Sequence, residues 1–179
     1  MSTPLLSVRN LQKYFPTSRN VGFRKEKLQV KAVDGISFDL MKGETLGLVG
    51  ESGCGKTTAG RTILKLYEPT EGKIIFEGKD LAPLSPKEMK PYRSEMQMIF
   101  QDPISSLNPR RRVGKIVREG LDIWKIGDEA TRQAKVLEVL EVVGIDAEAA
   151  IDRRPHEFSG GQCQRISIAR AVATEPRVI

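Results

Sequence analysis

The sequence predicts an α/β fold built around a phosphate-binding loop, and three observations carry that reading. Residues 50–58, Gly-Glu-Ser-Gly-Cys-Gly-Lys-Thr-Thr, satisfy the pattern G-x-x-x-x-G-K-[ST] at every fixed position. The apolar run Thr45–Val49 leads into the loop as a buried strand, and Ala59–Leu66 leads out of it as a helix that Pro69 ends. Farther on, short apolar runs give way to segments with a 3.6-residue period.

Each residue type in the loop has a chemical reason to be there. Gly50, Gly53 and Gly55 allow the backbone N–H groups to curl inward onto phosphate oxygens. Lys56 is placed to reach the β- and γ-phosphates, the Thr57 hydroxyl to ligate Mg²⁺, and the helix to turn its positive end toward the anion. The candidate nucleotide site is therefore Gly50, Ser52, Gly53, Cys54, Gly55, Lys56, Thr57 and Thr58. A glycine-rich surface turn is the alternative, but a chance match in a chain this long has a probability on the order of a percent.

Composition bounds the rest. A chain of 179 residues with 39% hydrophobic content supports one ordinary core. No apolar run approaches the roughly 20 residues that span a bilayer, and Met1–Pro4 opens neither a signal nor a transit peptide. A cytoplasmic or peripheral protein is expected. Cys54 and Cys163 lie far apart in different settings, which argues for thiols rather than a disulfide or metal site. The net charge of +6 suits anionic ligands, yet Arg110-Arg111-Arg112 has no interleaved aromatic platform and reads as a solvated turn, so no nucleic acid is expected.

In chain order, Leu6–Leu11 alternates as a half-buried strand and Tyr14-Phe15-Pro16 marks its end. Thr17–Lys31 is polar, basic and without period, which predicts an exposed loop or hairpin turn; Val33, Ile36, Phe38 and Leu40 restore strand character. An N-terminal set of antiparallel strands follows. Ile74-Ile75-Phe76 is a short strand, and Glu77 at its end is read as hairpin chemistry rather than as a metal ligand. Ser85-Pro86-Lys87-Glu88 is a capping box and predicts a short helix. Met96–Phe100 is a second buried strand that delivers Gln101, whose amide oxygen can ligate Mg²⁺ or order a water.

Two amphipathic faces then predict helices: Val113, Ile116, Val117, Gly120, Leu121 and Trp124, and next Gln133, Val136, Leu137, Leu140 and Val143. Gly127 and Gly144 punctuate their ends. Ser159-Gly160-Gly161-Gln162 is a further capping box that opens a helix through Ala173. Two glycines in a first turn cost about 1 kcal/mol each relative to Ala, and they suit a turn whose bare N–H groups an anion must approach. His156, the sole histidine, has no triad partners nearby and reads as structural.

Together the phosphate loop, Gln101 and Phe158-Ser159-Gly160-Gly161-Gln162 resemble the ATP-binding cassette family in order and spacing. Gln101-Asp102-Pro103, Ser105–Arg110 and Pro155-His156-Glu157-Phe158 look like the ATP-binding subunits of oligopeptide and dipeptide importers, wording that nickel importers share. The resemblance implies a P-loop NTPase with a RecA-like core, an N-terminal antiparallel β subdomain and an inserted helical subdomain. It divides the chain at 1–101, 102–158 and 159–179. It also implies ATP and Mg as cofactors, with Lys56 and Gln101 as catalytic residues and Thr57 and Gln101 as metal ligands. ATP is then sandwiched between two subunits, the signature residues Ser159, Gly160, Gly161 and Gln162 contacting the partner's nucleotide. Position assigns the adenine-stacking aromatic to Phe15, with Tyr14 one residue away.

Implied partners are a second ATP-binding subunit, identical or different, and transmembrane permease subunits reached through Gln101 and Ser105–Arg112. The implied location is cytoplasmic, peripheral on the inner face of the cell membrane. Cys163 stands where the family carries arginine or glutamine. The family's Walker B strand, with its magnesium-holding aspartate and catalytic glutamate, has no counterpart before Arg177-Val178-Ile179. The core is accordingly expected to be incomplete at its C-terminal side, and the 179 residues are expected to bind ATP without efficient hydrolysis. Competing readings are a non-transport ATPase of the same family, serving DNA repair or translation, and a binding fragment without catalysis.

Overall fold

Alternation of Leu6, Val8 and Leu11 builds the first strand of an antiparallel sheet. The computed structural model describes residues 3–21 and 24–179. Its four strands are β1 (Leu6–Val21), β2 (Arg24–Leu40), β3 (Glu71–Phe76) and β4 (Lys79–Asp80), ordered β2-β1-β3-β4. Leu6 faces Leu40 on one side and Phe76 on the other, and Val8 likewise faces Phe38 and Ile74. A bulge follows Val8, where Asn10 takes a left-handed φ of 46° and its N–H donates to Ser37 Oγ at 2.7 Å. Gly72 has to be glycine beside this bulge, because a Cβ there lies 2.4 Å from the Asn10 carbonyl oxygen.

The first unit, Met1–Met89, closes its core by laying α1 (Lys56–Ile63) on the sheet. Ala59, Thr62 and Ile63 are buried on one side of that helix. Glu77 and Gly78 both take positive φ, 47° and 80°, the geometry of a tight hairpin, so Glu77 serves the turn as expected.

Four expectations need correction. Of the two alternatives for 17–31, the hairpin holds and the loop does not: both sides continue as strands paired from Phe15↔Val30 through Thr17↔Leu28 to Val21↔Arg24, with residues 22 and 23 outside the described part. Cross-strand backbone bonds need no hydrophobic alternation, so a polar hairpin escapes periodicity. The capping box at Ser85 forms, with Glu88 Oε2 accepting from Ser85 N at 2.8 Å, but it closes a single turn before a 3-10 turn at Lys90–Arg93. Thr45–Val49 and Met96–Phe100 are not strands. Val49 is 94% exposed, and Met96 makes one parallel bridge, to Val178, beside the bond from Gln97 N to Val178 O at 2.9 Å. A parallel strand draws its backbone bonds from neighbours on both sides, and among the described residues neither segment has two.

The second unit, Lys90–Ile179, is helical: α2 (Pro103–Ser106), α3 (Val113–Trp124), α4 (Glu129–Val142), α5 (Ala147–Ala150) and α6 (Gly160–Val172). Its core joins Ile116, Val117 and Leu121 of α3, Val136 and Leu140 of α4, and Cys163, Ile166 and Ala169 of α6. The spacing 163, 166, 169 and 173 is one helical stripe, and its small residues let α3 and α4 approach closely. Gly127 and Gly144 take positive φ at the helix ends, as predicted. Trp124 is half-buried.

Candidate functional site

In the first unit the phosphate loop is held open by its glycines. Gly53 and Gly55 have φ of 83° and 99°, in the left-handed region. Gly55 is the tighter position: a Cβ there lies 2.0 Å from the Ala32 carbonyl oxygen on β2. Gly50 leaves room for the Cys54 sulfur, which lies 2.5 Å from where its Cβ belongs. The sheet thus supports the loop from below while α1 extends from it.

Gly55 is the N-cap of α1 and supplies no side-chain acceptor, and the first turn holds no acidic residue. The leading N–H groups of this helix are therefore left to an external acceptor, with the positive end of the dipole behind them. Lys56 folds back over the loop, donating to Gly50 O at 2.7 Å and Glu51 O at 2.6 Å, with Cys54 Sγ 3.6 Å away. These carbonyls park the ammonium at the mouth of the loop. Thr57 is exposed at the helix start, and Thr58 accepts at its carbonyl from Thr62 Oγ1 at 2.7 Å. The donor set fits a phosphorylated ligand: amide N–H groups, one ammonium and one hydroxyl.

Of the two adjacent aromatics, Phe15 is the one linked to α1. Its ring meets Tyr67 edge-on at 5.5 Å, and the Tyr67 N–H bonds to Arg61 O of that helix. Lys13 Nζ stands 4.9 Å over the Phe15 ring. Tyr14 instead donates its hydroxyl to Asp34, with Lys31 5.1 Å above its ring. That bond raises the Tyr14 phenol above its ordinary pKa and holds the Asp34 carboxyl below its own. Tyr67, Lys13 and Ala32 frame this site without any signal in sequence, because each acts across a turn or from a neighbouring strand.

In the second unit, Gln101 is exposed just before α2. Asp102 is the N-cap of α2, accepting from Ile104 N at 3.0 Å and Ser105 N at 3.3 Å; bonds from Ser105 lead the effects that depress its pKa. Asp102 is thus committed to the turn. Ser159 and Gln162 form the expected reciprocal cap: Ser159 Oγ accepts from Gln162 N at 3.3 Å, and Gln162 Oε1 accepts from Ser159 N at 2.9 Å. Around Gly160 and Gly161 a Cβ meets nothing within 4 Å, so packing inside the chain does not require either glycine. Cys163 faces the core, donating weakly to Pro155 O at 3.4 Å, and burial raises its thiol pKa. The substitution at this position is therefore a packing matter. Replacing Ser159 by Ala is expected to cost about 1 kcal/mol of stability, read from chemical denaturation of the helical unit. An unchanged midpoint contradicts the cap.

Residues 33–179 match the family model described as ABC transporter. The chain belongs to the ABC transporter family. It is 51% identical over 181 residues to the oligopeptide transport ATP-binding protein OppF of Bacillus subtilis (strain 168), covering 100% of this chain and 56% of that protein. It is 50% identical over 177 residues to a putative peptide import ATP-binding protein of Brucella ovis, covering 99% of this chain and 53% of that protein. This ABC-family chain spans about half the length of the curated relatives it matches. Among solved structures, the ATP-binding cassette MJ0796, dimeric and bound to ADP and Pi, aligns with a TM-score of 0.79 at 26% identity, covering 96% of this chain and 70% of that one. The α/β cassette fold expected from the motifs is thereby shown. Among the described residues no helix is long and apolar enough to cross a membrane, and no group of three His, Cys, Asp or Glu is placed to hold a metal.

Proposed function

We propose that this chain binds ATP through its phosphate loop as the nucleotide-binding part of a peptide importer. The observation that carries the reading is the start of α1: uncapped N–H groups, left-handed glycines braced on β2, and the Lys56 ammonium folded over the loop mouth. The relatives' names, oligopeptide transport and putative peptide import ATP-binding proteins, support the transport role. Lys56 and the loop amides hold the β- and γ-phosphates. The Thr57 hydroxyl would help to hold Mg²⁺, which neutralises phosphate charge and orients the terminal phosphoryl group. Phe15 stacks on the base. By motif, residues 1–101 are the nucleotide-binding part, 102–158 the helical part that meets permease subunits at the inner membrane face, and 159–179 the signature part, whereas the fold itself divides after Met89.

Gly160 and Gly161 support closure of two such subunits on ATP. Each costs helix stability without serving packing within the chain, which fits a first turn whose amides meet the partner's nucleotide. Phosphoryl transfer also needs a general base, and Asp102 is committed to capping α2 while Glu77 stands on a hairpin turn. Binding without efficient turnover is the expected behaviour.

The test is calorimetry with MgATP and MgGTP. Phe15→Ala is expected to weaken ATP about fivefold, the loss of about 1 kcal/mol of stacking, with GTP affected equally. Tyr14→Ala is expected to leave both unchanged. The reverse pattern moves the base to the Tyr14 side of the sheet and contradicts the site.

A further inference from the structure

We propose that the outer part of the β1–β2 ribbon, residues 16–19 and 26–31, is a contact for an anionic lipid surface. β1 pairs with β3 only as far as Gln12↔Glu71, so the ribbon beyond that point has two strands. From Lys13 to Val21 it extends about 27 Å at the usual strand rise. A two-stranded ribbon is marginally stable in water by itself, so its residues are a costly place to leave apolar surface exposed.

Two features converge on this arm. Residues 13–31 carry six Lys or Arg (13, 19, 24, 25, 27 and 31) against one acidic residue, Glu26, a denser excess than the chain's overall +6. Leu28 and Val30 are exposed, 40% and 54%, and sit two residues apart on β2, hence on one face. Lys27 and Lys31 alternate with them along the edge strand of the sheet, and Arg19 is exposed on β1. An open depression beside them is lined by Pro16, Thr17, Ser18, Lys27, Leu28 and Gln29.

Lysines on an edge strand also guard it against pairing with other chains. That role accounts for Lys27 and Lys31 but not for the apolar pair between them. A phosphate-lined nucleic acid gains nothing from Leu28 and Val30, and no aromatic stands among the described residues 16–19 and 26–31. A bilayer surface uses both features: anionic headgroups attract the lysines while short apolar side chains enter the interface, with long lysine stems reaching past the edge. The inference rests on the importer reading only for the nearness of a membrane. Its test needs neither nucleotide nor permease, so either reading can fail alone.

Sedimentation with vesicles decides it. The chain is expected to partition onto vesicles of about one-third phosphatidylglycerol in phosphatidylcholine, and not onto pure phosphatidylcholine, with binding lost at high salt. Arg19→Gln with Lys27→Gln is expected to lower partition about 25-fold, fivefold per residue. Arg110→Gln with Arg112→Gln, in the other unit, is expected to change it less than twofold. Equal binding to both vesicle types, or equal loss from both double variants, overturns the proposal. So does indifference to vesicles joined to duplex DNA binding that depends on Arg19 and Lys27. Should the ribbon variant misfold, hydrogen exchange on the unaltered chain decides: amides of 16–19 and 26–31 must slow on anionic vesicles alone, and unchanged exchange there refutes the contact.

Discussion

Lys56→Ala is expected to lower affinity for MgATP about 100-fold while leaving adenosine binding unchanged. The ammonium lies at the loop mouth on the Gly50 and Glu51 carbonyls, so it needs only a short swing to reach a phosphate. Two charge-assisted bonds at about 1.5 kcal/mol each give a loss near this size. Losing Lys56 removes attraction to phosphate and nothing from the base. Calorimetry with ATP, ADP and adenosine reads the difference directly: the defect should shrink as phosphates are removed. Equal loss for all three ligands means that the substitution has collapsed the loop, and no loss for ATP removes Lys56 from the site.

Gly55→Ala is expected to be among the most damaging single changes in the first unit. Its φ of 99° strains any L side chain, and its Cβ would lie 2.0 Å from a backbone oxygen of β2 that cannot rotate aside. A destabilisation of about 3 kcal/mol or more is expected, with loss of measurable ATP binding. Gly53→Ala is the control, since it has similar φ but nothing within 4 Å of its Cβ. It should cost only about 1 kcal/mol. Denaturant titration of both variants separates strain from collision. Equal stability loss in the two contradicts the packing of the loop on Ala32.

Motif chemistry was legible in the sequence because it is local. The Ser159–Gln162 cap, the Glu77-Gly78 turn and helices α3 and α4 each follow from residues within a few positions of one another. What escaped depends on partners distant in sequence. Thr45–Val49 has the composition of a buried strand, but composition does not supply the neighbours that would make it one. The stretch 17–31 lacks a hydrophobic period, and residues 17–21 and 24–31 are nevertheless strand, because the ribbon is held by its own backbone pairing. At the candidate site, the loop and Lys56 were readable, whereas the Ala32 carbonyl under Gly55 and the Tyr67 ring beside Phe15 were not.

The central claim is that ATP sits on the start of α1 and, in a closed pair, on the start of the partner's α6. Hydrogen exchange with and without MgATP tests it most directly, run at low and high protein concentration. The account predicts slowed exchange at amides 53–58 at both concentrations, and at 160–162 only where subunits associate. Protection elsewhere with none at 53–58 contradicts it.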